Sequence, residues 1–214
     1  MIDLPFHYIS RKSNLSNQKP PLLIMLHGYG SNEKDLFSFT KSIPEKYTIV
    51  SIRAPLDLGM GFAWYNIGLD HFGNKVYDTK MAIEARESIT NYINLCHKKF
   101  NTNPLLTTLI GFSQGAILCN AIALTSPVGI KNIISLSGGI DKEIIKLSKE
   151  NLNSVSFYFS HGIFDDVLPF KQAKESLDLL KTNNIDFHFE DFPTGHGVSP
   201  ENFKSMLKWL ISNS

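Results

Sequence analysis

Short unbroken apolar runs alternate along the chain with longer stretches whose apolar residues recur every three or four positions. Residues 22–26 are apolar throughout and are bounded by Pro20-Pro21 and Gly28. A run of that length without alternation predicts a strand buried on both faces. Residues 47–52, 105–110, 132–136 and 155–159 read the same way. Residues 187–189 make a shorter sixth strand, and 6–9 an N-terminal edge strand. Between them, 79–99 carries Ala82, Ile83, Ile89, Ile93 and Cys96 at helical spacing. Residues 114–124 are apolar nearly all round, which predicts a buried helix. Residues 170–181 and 200–211 are amphipathic, the latter with Ser199 as N-cap before Pro200.

This alternation predicts an α/β fold: a mostly parallel, doubly wound sheet of about seven strands with helices on both faces. No linker or repeat breaks it, so 1–214 reads as one domain. Residues 53–78 do not fit. They hold four glycines and no clear period, yet they include Leu56, Leu58, Met60, Phe62, Trp64, Tyr65 and Phe72. A long loop this apolar is expected to be functional rather than disordered.

Composition narrows the classes. Of 214 residues, 43% are hydrophobic and 19% charged, which excludes a disordered chain. Lys+Arg is 21 against Asp+Glu 20. That balance argues against a nucleic-acid or anionic-membrane binder. No apolar stretch is long enough for a membrane span, and no secretory leader is visible. Two cysteines, Cys96 and Cys119, form no disulfide framework and read as buried thiols of a cytoplasmic protein.

The chemistry starts at Gly111-Phe-Ser113-Gln-Gly115, a G-x-S-x-G placed between a strand and a buried helix. That is the setting of a nucleophile elbow, whose glycines leave room for a strained turn. The plain alternative is a glycine-rich helix entry with an N-cap serine. A serine hydroxyl needs a base, and His196, in Thr194-Gly-His-Gly197 after the last strand, is the candidate. An acid must orient that base, and Asp165 and Asp166 follow the fifth predicted strand; spacing does not choose between them. The order nucleophile–acid–base is that of α/β hydrolases. The backbone N–H groups of Gln114 and of Tyr29, in His27-Gly-Tyr-Gly30, are candidate oxyanion donors. His27 reads as a structural residue. Glu33 occupies the third glycine position of G-x-G-x-x-G, so this loop is not a dinucleotide site.

These residues resemble the phospholipase/carboxylesterase family of small α/β hydrolases, which includes the acyl-protein thioesterases and lid-less bacterial carboxylesterases. The matching blocks are Leu26-His-Gly-Tyr-Gly30, Arg53-Ala-Pro55, Ala63-Trp-Tyr65, Gly111-Phe-Ser-Gln-Gly115, Ser135-Leu-Ser-Gly-Gly139, His161-Gly-x-x-Asp165 and Gly195-His-Gly197. The resemblance implies an α/β-hydrolase fold without a large cap domain and a Ser113–His196–Asp165 triad. It implies no metal and no organic cofactor. Asp166 stands where that family usually has Pro, and Ala116 where it often has Gly.

The reading is therefore a serine hydrolase of carboxylic esters with short to medium acyl chains. Lysophospholipase and acyl-protein thioesterase are the alternatives, and a non-catalytic binding protein on the same fold is the remote one. The expected partner is a small ester or thioester. Trp64, Tyr65 and Phe112 are the candidate substrate-binding residues. The apolar 53–78 segment is read as covering the site, with packing of its aromatics on the sheet edge and a homodimer surface as the alternatives.

Overall fold

The computed structural model describes residues 2–16, 18–73, 75–148 and 150–214. Its elements follow in chain order: β1 (Tyr8–Arg11), β2 (Leu22–Leu26), α1 (Lys34–Phe37), β3 (Thr48–Ile52), β4 (Leu56–Asp57), β5 (Phe62–Ala63), β6 (Ile67–Leu69), β7 (Lys75–Tyr77), α2 (Thr79–Phe100), β8 (Thr107–Phe112), α3 (Gln114–Thr125), β9 (Ile130–Leu136), β10 (Ser156–Gly162), α4 (Phe170–Ser176), α5 (Asp178–Thr182), β11 (Phe187–Phe192) and α6 (Pro200–Ser212).

The main sheet has seven strands in the order β1-β3-β2-β8-β9-β10-β11. All pair in parallel except β1, which runs antiparallel to β3. All five residues of β2 and of β3 are buried, including Thr48 and Ser51 of β3, as in a strand covered on both faces. The pleat sends Leu22, Ile24 and Leu26 to one face, where they join Ile89 of α2 and Leu118 of α3. Leu23 and Met25 go to the other, with Leu36 of α1 and Met206 and Leu210 of α6. The α/β-hydrolase arrangement is thus present. No helical cap is inserted: between β3 and α2 lie only the ribbons β4–β5 and β6–β7.

Three expectations shift in detail. Residues 53–78 are not an aperiodic loop, because short antiparallel pairings organise them. The single helix expected over 170–181 is divided at Leu177 into α4 and α5. The edge strand begins at Tyr8 rather than Phe6, whose ring packs on Tyr92 and Trp64. Helix ends follow local chemistry. Ser199 caps α6 by accepting from the Asn202 N–H, and Asp78 caps α2 by accepting from Met81. Among the described residues, no helix is long and apolar enough to cross a membrane.

Candidate active site

Strand β8 ends and α3 begins with Ser113 between them, at φ 51° and ψ −117°. A serine in that conformation is strained, and the packing around it holds it there. A Cβ on Gly115 would lie 2.1 Å from the Leu26 carbonyl oxygen. One on Gly111 would lie 2.5 Å from the Ala116 nitrogen. Only glycine fits at either flank, so the turn can press against β2 and lift Ser113 out at the C-terminal edge of the sheet.

The loop after β11 supplies His196. Its Nε2 lies 2.9 Å from Ser113 Oγ and its Nδ1 lies 2.7 Å from Asp165 Oδ2. A carboxylate only accepts, so Nδ1 carries the proton and Nε2 is free to accept from the hydroxyl. Asp165, rather than Asp166, meets the histidine. Its side chain is fully buried, and its Oδ1 accepts the Val167 and Leu168 N–H groups at 2.9 and 2.8 Å. Asp166 is exposed. The acid and base loops also lock together. The Phe164 N–H donates to the Thr194 carbonyl, and Gly162 passes so close to Thr194 and Gly195 that no Cβ would fit.

One contact lies outside the sequence reading. His161, at the end of β10, is buried, with Nε2 2.8 Å from the Leu168 carbonyl and 3.1 Å from Asp165 Oδ2. The carbonyl takes the Nε2 proton of His161, which packs against Asp165 without donating to it. Asp165 accepts from three N–H groups, those of Val167, Leu168 and His196. The signal was visible only as the first residue of the His-Gly-x-x-Asp block.

The loop 27–33 leans on Ser113 from the other side. A Cβ on Gly28 would lie 3.3 Å from Ser113 Cβ and 2.9 Å from the Phe112 ring. His27 donates from Nδ1 to the Gly28 carbonyl, and its Nε2 accepts the Ala54 N–H. Burial lowers its pKa, which suits this neutral, two-sided brace. Tyr29, the next residue, is half-exposed at the surface.

The candidate substrate-binding residues separate. The Phe112 ring lies against His196, with centroids 5.0 Å apart. Tyr65 is only 2% exposed but borders a groove of about 920 Å³. The groove runs between β7, the segment after β9 and the segment after Asp165, and reaches Ile117, one turn into α3 from Ser113. Trp64 is 1% exposed and belongs to the core. Its ring packs on Phe6 and His27, and its indole N–H donates to the His27 carbonyl. The Gln114 side chain pins this segment, accepting from Trp64 N–H and donating to the Tyr65 carbonyl, both at 2.8 Å.

The model of the phospholipase/carboxylesterase family matches residues 12–214. The chain belongs to that family of ester-bond hydrolases. Among curated relatives, acyl-protein thioesterase 1 of Candida albicans is 26% identical over 220 residues, covering 88% of this chain and 90% of that one. Its namesake in Cryptococcus neoformans is 22% identical over 217 residues, with the same coverage. Among solved structures, the Bacillus cereus carboxylesterase superposes with a TM-score of 0.85 at 18% identity, covering 98% of this chain and 95% of that chain. Acyl-protein thioesterase 2 of Zea mays superposes with a TM-score of 0.76 at 22% identity, covering 97% and 99%. At these identities the structural likeness speaks for the fold.

Proposed function

We propose that this family member hydrolyses carboxylic esters of short to medium acyl chains through an acyl-enzyme on Ser113. The observation that carries the reading is the hydrogen-bonded chain from Asp165 through His196 to Ser113 at a strained elbow. His196 Nε2 takes the hydroxyl proton as Ser113 Oγ attacks the acyl carbon. Buried Asp165 holds the imidazole in the productive tautomer and stabilises its cation. The carbonyl oxygen becomes an oxyanion held by the N–H groups of Gln114 and Tyr29, each contributing about 3 kcal/mol. His196 then returns the proton to the leaving alcohol, the ester C–O bond breaks, and water repeats the sequence to free the acid.

No step in this scheme requires a metal or an organic cofactor. The groove beside α3 is the proposed acyl site, with Tyr65 on its wall and Phe112 steadying His196. The buried thiols Cys96 and Cys119 support a reducing, cytoplasmic setting. The thioester reading has one specific support, the names of the relatives matched over most of this chain.

Two measurements test the proposal. A fluorophosphonate probe labels the wild type and not Ser113→Ala; labelling of both, or of neither, refutes it. A series of esters and matched thioesters of rising chain length gives the highest kcat/KM with short to medium esters. A consistent preference for thioesters or long chains replaces the ester reading by the thioesterase one.

A further inference from the structure

The loop that carries Tyr29 ends in a buried acid. Glu33 is 1% exposed, and both of its carboxylate oxygens are taken by one partner. Arg53, just past the end of β3, donates from Nε to Oε2 and from Nη2 to Oε1, each at 2.7 Å. This fork-to-fork pairing is the strongest geometry open to the two groups. Arg53 beside it holds the Glu33 carboxyl down to about 2. His7 also lies near the acid, with Nε2 3.7 Å from Oε1, and His27 feels the charge of both Glu33 and Arg53.

Arg53 touches a third segment. Its guanidinium lies 4.6 Å from the centre of the Phe62 ring. The Phe62 backbone in turn pairs with the loop: Gly30 N–H donates to the Phe62 carbonyl, and Phe62 N–H donates to the Ser31 carbonyl. Gly61 lies so close to Gly30 that a Cβ there would fall 1.9 Å from the Gly30 carbonyl oxygen. One side chain thus joins the end of β3, strand β5 and the loop that presses Gly28 against Ser113. A buried salt bridge adds little net stability when both partners could be apolar, so its geometry is what stands out here.

We propose that Glu33 and Arg53 are positioning residues that set the loop 27–33, and with it the Tyr29 N–H, at the distance from Ser113 that an oxyanion needs. The inference rests on the serine-hydrolase reading and deepens it. An oxyanion donor must face the place where charge develops, and a small displacement of a preorganised donor lowers kcat without weakening ground-state binding. The pair makes no hydrogen bond to Ser113, His196 or Asp165, so its effect on them passes through the loop and the β5 strand paired with it.

The test compares Arg53→Gln, Arg53→Lys and Glu33→Gln with the wild type on a neutral short-chain ester, with folding checked by circular dichroism. Loss of the clamp lowers kcat by about 30-fold in Arg53→Gln and about 10-fold in Glu33→Gln, while KM stays within about twofold. Arg53→Lys, which keeps the charge, recovers part of the loss. A trifluoromethyl ketone, whose adduct with Ser113 places an oxyanion in the same site, loses affinity by the factor that kcat/KM loses. A merely structural pair would lower the melting temperature and leave that correlation absent. Folded variants with kcat within about twofold of wild type, or a loss confined to KM, overturn the inference. If Arg53→Gln does not fold, Glu33→Gln and Arg53→Lys decide by the same criteria. A wild type that neither hydrolyses the ester nor takes the fluorophosphonate label defeats the serine-hydrolase reading itself, an outcome distinct from an active wild type with unaffected variants.

Discussion

The elbow at Ser113 and the β6–β7 ribbon lie near one groove, which β7 lines and which reaches Ile117 one turn into α3, and they are built by opposite means. At the elbow every position is determined by backbone against backbone: Gly111 and Gly115 leave no room for a methyl group, and α3 behind them is buried nearly all round. The ribbon has three residues per strand and turns its side chains outward, with Leu69 71% and Phe72 90% exposed. Its Lys75 reaches across to donate to the Val167 carbonyl. Under the proposed function, the elbow's steric frame holds the reacting atoms in place, which chemistry requires. The ribbon's exposed side chains carry no such packing constraint, as is usual for a surface segment. The adjacent aspartates repeat the contrast, Asp165 being buried and accepting from three N–H groups and Asp166 open on the groove.

The sharpest way to break this comparison is to neutralise each aspartate in turn. Asp165→Asn leaves His196 without its orienting acceptor and lowers kcat by about 10⁴-fold, as loss of the triad acid does elsewhere. Asp166→Asn changes one exposed charge and leaves kcat on a neutral ester within about threefold. Steady-state kinetics on one short ester reads both. If Asp166→Asn is the more damaging, the buried carboxylate is not the working one and the contrast is lost.

Next in size is Gly115→Ala. The added methyl would overlap the Leu26 and His27 carbonyls, which belong to β2 and its following loop and cannot move alone. Overpacking against backbone costs about 3 kcal/mol, which lowers the melting temperature of a chain this long by about 10 °C. Calorimetry measures it. A shift under about 2 °C shows that the elbow can give, and that its rigidity is not steric.

The same division decides what could be read from the sequence. The apolar runs within β2, β3, β8, β9 and β10 are legible because strands buried on both faces are predominantly apolar rather than alternating. The short run at 187–189 understated β11, which continues through Glu190 and Asp191 because an edge strand carries polar residues without losing its ladder. The chain order of Ser113, Asp165 and His196 was legible because an α/β sheet collects the C-terminal ends of its strands at one edge. Trp64 was read toward the substrate because its surroundings in sequence are loop-like. Packing on Phe6 and His27 buries its ring, and the Gln114 side chain, 50 residues away, holds its backbone. Glu33 was legible only as a residue that rules out a phosphate loop. Its partner Arg53 lies on another element, and no local period reports such a pair.

The smallest effect belongs to the ribbon. Val76 is half-exposed and lines the groove, but it packs into no core cluster. Val76→Ser therefore leaves stability within about 0.5 kcal/mol of wild type. An acetyl ester engages only the elbow end of the groove, so its kcat and KM stay unchanged. A medium-chain acyl group that lies along the groove loses the contact with the valine methyls, about 1 kcal/mol, or about fivefold in KM. Chain-length profiles of the two proteins, measured side by side, show the difference growing with each added methylene. A uniform loss across all chain lengths would mean that the ribbon acts on the elbow itself, and that the two regions are one machine rather than a rigid site with an adaptable wall.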